Sequence, residues 1–313
     1  MSSSPNRPNI FAGPYLDRSS HLRDREDWLI EAGRDPQAQF VAVWRAHNLL
    51  RRGEELGAVL LDAGHAVVRS AQPDQFVFLG MFRGHASFLV ELEGEAPPDV
   101  HPEGEFRELR WFGALLPRDE AGLLAYARAL TLWRQRHRFC GVCGAPTRNS
   151  RGGHVLVCSN ESCKGEQFPR IDPAIIVLVS DGSRALLGRQ SSWPAGRYST
   201  IAGFVEPGES LEDAVVREVH EETGISVENV RYHSSQPWPF PSSLMLGFTA
   251  HALSSTITLQ DGELEDARWF SRADIAAGVI AMPSSQSISF RLIEDWYDSA
   301  AARPLRDTPG VRL

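Results

Sequence analysis

Two hydrophobic patterns follow one another along the chain. In the first third, short apolar runs rich in β-branched and aromatic residues alternate with turns rich in Gly, Asp or Arg. Gln39–Trp44, Ala58–Leu61, Phe76–Leu79 and Ala86–Val90 are such runs and predict the strands of an α+β domain over residues 1–125. Between Arg118 and Arg136 the apolar positions Leu123, Leu124, Ala127, Leu130 and Trp133 recur at helical spacing, which predicts a helix bridging to the next module. Beyond it, Ala174–Val179 has the length and continuity of a buried strand, Asp181-Gly182 predicts a turn, and Arg184–Leu187 returns as its partner. Leu244–His251 and Ala267–Phe270 predict two further strands and Ser287–Ser299 a closing helix. Residues 1–125 group no His, Asp, Glu or Ser in a catalytic pattern, so no chemistry is assigned there.

Composition narrows the class. The 313 residues are 42% hydrophobic and 23% charged, as expected of a globular chain with a real core, and the length suits two domains and a small third module. The formal charge of −8 disfavours long-range attraction to a phosphate backbone, so DNA is not an expected partner. No apolar run approaches the roughly 20 residues of a membrane span, and the polar start MSSSPNRPN lacks the apolar stretch of a leader. The expectation is a soluble cytoplasmic enzyme with no membrane partner.

All four cysteines fall between 140 and 163: Cys140, Cys143, Cys158 and Cys163, spaced C-x2-C-x14-C-x4-C. Two short thiolate pairs joined by a loop match the knuckles of a zinc ribbon, here over residues 136–168. Four thiolates leave a zinc ion no open position, so a structural zinc, one per subunit, is the expected role. Four reduced thiols and two disulfides are the alternatives.

The most informative segment is Gly203–Ile225, GFVEPGESLEDAVVREVHEETGI. Ser210 can cap a helix and Gly224 can end it in the left-handed conformation. Glu218, Glu221 and Glu222 then stand at i, i+3 and i+4, within an arc of roughly 100°. Leu211, Ala214 and Val215 project into the same sector one or two turns earlier, so a face that begins as core ends as carboxylates. Such neighbours raise one another's pKa unless a cation compensates, and Mg²⁺ or Mn²⁺ with oxygen ligands suits them. Arg217, eight residues after Glu209, can clasp the preceding loop to the helix. Taken alone, E-x-x-E-E also fits a solvated acidic face.

The wider pattern is G-x5-E-x7-R-E-U-x-E-E-x-G-U, where U is an aliphatic residue, filled by Gly203, Glu209, Arg217, Glu218, Val219, Glu221, Glu222, Gly224 and Ile225. Seven fixed residues, each at a frequency of about 7%, coincide at a given start with odds on the order of 10⁻⁸. The segment resembles a complete Nudix box. The resemblance implies an α/β/α sandwich hydrolase with a mixed sheet over residues 169–300, within an α/β chain, cleaving a nucleoside diphosphate joined to another group X. It implies metal ligation by Glu218 and Glu222, with Glu221 beside them, and by the backbone carbonyl of Ala202.

Ten residues after the end of the box comes Ser235-Gln236-Pro237-Trp238-Pro239-Phe240-Pro241-Ser242-Ser243. Alternate prolines fix φ and predict a stiff extended loop outside any regular ladder. Trp238 and Phe240 offer flat surfaces, and Gln236, Ser242 and Ser243 offer hydrogen-bonding groups. Together with the upstream ribbon, this array resembles the signature of the NADH pyrophosphatase family. The resemblance makes the loop a substrate wall and makes Phe168 and Phe204 the rings that sandwich the nicotinamide, Phe168 reaching a partner subunit in a homodimer. It adds Glu263, in Asp261-Gly-Glu-Leu-Glu265, to the metal cluster and Ser289 to the substrate contacts. Inside the ribbon, a glutamate that touches substrate in the family is replaced near Gly153.

The implied reaction is hydrolysis of the pyrophosphate of NADH or NAD⁺ to nicotinamide mononucleotide and AMP. Ions held by Glu218, Glu222 and Glu263 would neutralise the diphosphate and promote attack of water on phosphorus, with Glu221 or Glu263 as proton acceptor. The same chemistry would remove an NAD cap from the 5′ end of RNA. Other readings are a Nudix enzyme for nucleotide sugars or ADP-ribose, and a nucleic-acid-binding protein with an inactive Nudix scaffold.

Overall fold

The computed structural model describes residues 8–72, 75–259 and 262–311, and divides into two compact units. Most of the polar start read for a leader, and Asp261, lie outside the described residues. Among the described residues no helix is long and apolar enough to cross a membrane.

One unit comprises Ile10–Ile171 together with Trp238–Ser242. Its strands are β1 (Leu16–Asp17), β2 (Gln39–Trp44), β3 (His47–Arg51), β4 (Leu60–Asp62), β5 (Val77–Phe82), β6 (His85–Leu92) and β7 (Gly104–Arg107). They pair in the order β1-β5-β6-β2-β3-β7, with β4 beside β2. The helices are α1 (Glu26–Arg34), α2 (Ala66–Ser70), α3 (Leu109–Phe112) and α4 (Arg118–Arg136).

Strand β2 shows how the pleat makes two cores: Phe40 and Ala42 join one cluster, Val41 and Val43 the other. The second cluster takes Leu123, Leu124, Ala127, Leu130 and Trp133 from α4, so the helix read as a bridge is itself core. The ribbon in this unit is a three-stranded antiparallel sheet of β8 (Thr147–Ser150), β9 (Val155–Cys158) and β10 (Glu166–Gln167). Ahead of β9, His154 is buried with its Nε2 2.7 Å from the Phe78 carbonyl.

The other unit holds the described parts of Asp172–Pro237 and Ser243–Leu313, with residues 8–9. Its strands are β11 (Asp172–Ser180), β12 (Arg184–Arg189), β13 (Ile201–Phe204), β14 (Val227–Trp238), β15 (Ser243–Ala252) and β16 (Asp266–Ser271). Its helices are α5 (Leu211–Thr223), α6 (Arg272–Ala276) and α7 (Ile288–Asp298). The sheet is mixed: β11 runs parallel to β15 and antiparallel to β12 and β13. Alternation along β11 sends Ile175, Val177 and Val179 to a core shared with Ala214, Val215 and Val219 of α5. Ile176 and Leu178 go to a core shared with Ile288, Phe290, Leu292 and Ile293 of α7. Two helical layers around a mixed sheet form the α/β/α sandwich that the resemblance implied.

One expectation fails. The stretch from Ser235 was expected outside any ladder, but β14 continues through Gln236 and Pro237 to Trp238. It stands at the end of the strand order, where proline is tolerated because the outer side needs no donor.

Burial holds the folded His154 near pKa 4, below its usual 6.5. The neutral ring is therefore the folded form. No penalty exists above pH 6.5; it grows as the unfolded chain takes up the proton and levels off below pH 4 at about 3 kcal/mol. Chemical denaturation of wild type and His154→Gln at pH 7 and pH 4.5 should show a smaller acid-side loss in the variant.

Candidate active site and metal centre

The four cysteines converge as their spacing implied. Their sulfurs all lie within 4.8 Å of one another, with Cys140–Cys163 at 3.8 Å and Cys143–Cys158 at 3.4 Å. All four are free thiols, which excludes the two-disulfide alternative. A tetrahedron with Zn–S bonds of about 2.3 Å has edges of about 3.8 Å, so the spacing fits zinc. Each knuckle turns a backbone donor onto sulfur: Val142 N–H donates to Cys140 Sγ and Asn160 N–H to Cys158 Sγ, both at 3.4 Å. Donation from Val142 and then Cys143 lowers the Cys140 thiol to about 7, toward the thiolate that a metal requires.

The acidic helix is capped as its sequence predicts. Ser210 and Asp213 form a reciprocal capping box, and Gly224 closes α5 at φ 70°. Ala214, Val215 and Val219 are fully buried, and Glu218 and Glu222 continue inward at 9% and 3% exposure. Glu221 stays exposed.

Glu218 is accommodated by an absence. A Cβ on Gly203 of β13 would overlap the Glu218 carboxyl group, so only glycine lets this acid lie against the strand. Ala202 precedes it, paired with Ile176 of β11. Burial raises the Glu218 pKa, and the charges of Glu221 and Glu263 act in the same direction. The late carboxylate Glu263 thus stands within electrostatic reach of Glu218.

Arg217 does more than the expected clasp. Its Nε and Nη2 donate to the two carboxylate oxygens of Glu209 at 3.0 and 2.6 Å, and Nη2 also donates to the Phe204 carbonyl at 2.9 Å. Its Nη1 donates to Glu218 and Glu221, each at 2.9 Å. One guanidinium therefore ties the entry loop to two acids of the helix. The carboxylates of Glu218 and Glu222 are hard oxygen donors of the type that suits a divalent cation, while among the described residues the four cysteines are the one His/Cys/Asp/Glu group whose ligand atoms converge within 4.8 Å.

The other candidate residues are placed differently. Gln236 is buried: its Nε2 donates to the Gln286 carbonyl at 2.9 Å and its Oε1 accepts from the Ile288 N–H at 2.8 Å, which fixes the start of α7. Pro237 ends its unit at the edge strand. Trp238–Ser242 belong to the other unit. There Phe240 is 7% exposed, 5.8 Å from Phe11 edge-on, with Arg128 and Arg110 over its ring at 4.6 and 5.1 Å. The Pro239 carbonyl accepts from Arg128, Trp238 packs on Phe240, and Pro241 follows through a cis bond. Ser243 opens β15 opposite Asp172. Ser289 is buried among Ser199 Oγ and the amide and hydroxyl of Thr200 at 2.8–3.1 Å. Phe168 and Phe204 are both exposed.

Sequence reasoning missed the clearance role of Gly203 and the hold of Arg217 on Glu218 and Glu221. Both residues were already fixed positions of the pattern, so the signal was their spacing from the acids in this sequence.

Comparison with known proteins places the chain in a family. Residues 170–289 match the NUDIX domain model, 37–133 an NADH pyrophosphatase-like rudimentary NUDIX domain, and 135–168 the NADH pyrophosphatase zinc ribbon domain. The chain is 42% identical to the NAD-capped RNA hydrolase NudC of Stutzerimonas stutzeri (strain A1501), over 74% of this chain and 81% of that protein. It is 34% identical to the NAD-capped RNA hydrolase NUDT12 of Macaca fascicularis, over 92% of this chain and 73% of the relative. A solved NUDIX hydrolase from Nitrosomonas europaea superposes with TM-score 0.44 at 21% identity, covering 56% of this chain and 97% of that one.

Two measurements check the site's construction. Metal analysis should find one zinc per chain, lost in Cys143→Ser. The Arg217 hydrogen bonds hold Glu209 at about 2, below its usual 4.5. A depressed acid stabilises the fold fully above pH 4.5 and loses that contribution as pH falls toward 2. Denaturation curves of wild type and Glu209→Gln should accordingly differ at pH 6 and converge as pH approaches 2.

Proposed function

Because the chain belongs to the NADH pyrophosphatase family of Nudix hydrolases, which cleave diphosphates, we propose that it hydrolyses the pyrophosphate of NADH or NAD⁺ to nicotinamide mononucleotide and AMP. The names of its relatives support a second substrate of the same chemistry, the NAD cap of RNA. The observation that carries the reading is the inward-facing pair Glu218 and Glu222 on a helix packed against the Gly203 strand.

Mg²⁺ or Mn²⁺ held by Glu218, Glu222, Glu263 and the Ala202 carbonyl would supply neutralisation of the diphosphate and acidification of a water. The chain's own residues do the rest. Glu221, exposed and held on only one oxygen by Arg217, and Glu263 are the candidate proton acceptors. Glu209 and Arg217 hold the entry loop against the helix. Phe204 and, from a partner subunit, Phe168 would stack on the nicotinamide, and Gln236–Ser243 and Ser289 would shape the substrate wall. Exposed Phe139, Val142, Phe168 and Ile171 on and beside the ribbon support a homodimer. The proposed compartment is the cytoplasm.

Glu222→Gln should fold normally and lose at least 100-fold in kcat. Chromatography of products from NADH, NAD⁺, ADP-ribose and ADP-glucose with Mg²⁺ should show nicotinamide mononucleotide and AMP from the first two. A parallel assay on NAD-capped transcripts reads the second substrate. Near-unchanged turnover of Glu222→Gln would remove the metal-cluster assignment.

A further inference from the structure

A cavity of about 540 Å³ opens beneath α1 and shares no residue with the acidic helix or the proline-rich loop. Helix α1 is amphipathic, EDWLIEAGR: Trp28, Leu29 and Ala32 pack half-buried on the sheet core, Trp28 edge-on to Phe78 at 5.3 Å, while Ile30 stays exposed and lines the cavity with Leu29. Leu29, Ile30 and the half-buried Phe76 are among the residues lining the cavity. Gly33 keeps the space open: a Cβ there would meet only the Phe88 ring, at 3.9 Å. Glycine within a helix costs about 1 kcal/mol against alanine, so stability alone does not account for this residue.

The rim is polar and mostly cationic. Arg34 makes no ion pair among the described residues, and Arg151 makes a loose, solvent-exposed one with Asp24 at 3.5 Å. Gln72 adds an amide group, Asn149 is held by Arg134 through its side-chain oxygen, and among the described residues Glu26 is the one acid lining the cavity. Volumes of roughly 300–1,000 Å³ with apolar walls and a few polar groups are those of small-molecule sites. Flat apolar surfaces suit a nucleobase, side-chain amides suit its edge, and guanidinium groups suit a phosphate by paired hydrogen bonds.

The geometry points to a second nucleotide site in this cavity, one that shares no residue with the acidic helix or the proline-rich loop. It takes a nucleoside monophosphate, with the base against Leu29, Ile30 and Phe76 and the phosphate on Arg34 and Arg151. The same group is offered by a free mononucleotide and by an internal residue of an RNA chain.

Photolabelling of the full-length, zinc-loaded protein tests this. 8-Azido-AMP, without added Mg²⁺, is expected to label peptides spanning residues 26–34, 72–78 or 149–153, as read by mass spectrometry. The double variant Arg34→Glu/Arg151→Glu should cut that labelling at least tenfold. Gly33→Leu, which fills the cavity without reversing charge, should do the same. Both variants should hydrolyse NADH within twofold of wild type, so failure here is distinguishable from failure of the proposed activity. An uncapped ten-nucleotide RNA carrying one internal 8-azidoadenosine separates the sources: labelling of the same peptides by the RNA assigns the site to the RNA body, and labelling by AMP alone assigns it to free nucleotide. Labelling confined to peptides within residues 202–243, or unchanged labelling in both variants, would overturn the proposal. So would loss of NADH hydrolysis in folded variants, because the cavity would then be part of the hydrolytic site.

Discussion

A carboxylate taken out of water beside other carboxylates is the constraint that organises the C-terminal unit. Glu218 is almost fully buried, and burial alone drives its pKa upward. Its position is possible because β13 presents a glycine where a side chain would collide with it, and because Arg217 donates a hydrogen bond to it. The capping box at Ser210 and the left-handed Gly224 fix the register of α5, so that residues 218 and 222 continue the apolar face of 214, 215 and 219. The sandwich is thus built around a polar feature that is costly to bury, and Gly203 and Arg217 each offset part of that cost while Glu221 adds to it.

Much of this was legible in the sequence because it is local. A helix is announced by its apolar period and its caps, which is why Arg118–Arg136 and the Ser210–Gly224 segment matched. The run Ala174–Val179 is continuous because β11 is covered on both faces, a pattern that marks a central strand before any partner is known. Cysteine spacing is equally local, and it led to a cluster with zinc geometry.

What could not be read is long-range. Nothing in the residues around Phe240 says that its ring would be enclosed by Phe11, Arg110 and Arg128, more than a hundred positions earlier. The proline pattern argued correctly for extended backbone, but the tolerance of an edge strand for Pro237 depends on where the strand lies in the sheet. Gln236 shows the same limit from the side-chain end. An amide beside a candidate substrate wall reads as a ligand contact, whereas here both its oxygen and its nitrogen are engaged by backbone around the start of α7. Ser289 is similarly enclosed by Ser199 and Thr200. Polar residues of this kind are engaged within the fold itself, and only the fold shows those partners.

The charge balance explains why Arg217 does not make the acids self-sufficient. One guanidinium serves Glu209, Glu218 and Glu221, so the three ionised acids and their arginine carry −3 + 1 = −2. Ionised Glu222 and Glu263 would bring the local sum to −4. At 4 Å, two like charges repel by about 4 kcal/mol even at an effective dielectric of 20, and an incoming diphosphate would add more of the same sign. Arg217 neutralises Glu209, the acid that fastens the loop, most fully: it holds that carboxylate with two hydrogen bonds, but Glu218 and Glu221 with one each. The remaining negative charge therefore lies on the helix face, where it both excludes a bare diphosphate and favours divalent cations. Under the proposed function a cation would therefore serve substrate binding as much as bond cleavage, because it would offset the like charges that the acids and a diphosphate bring together.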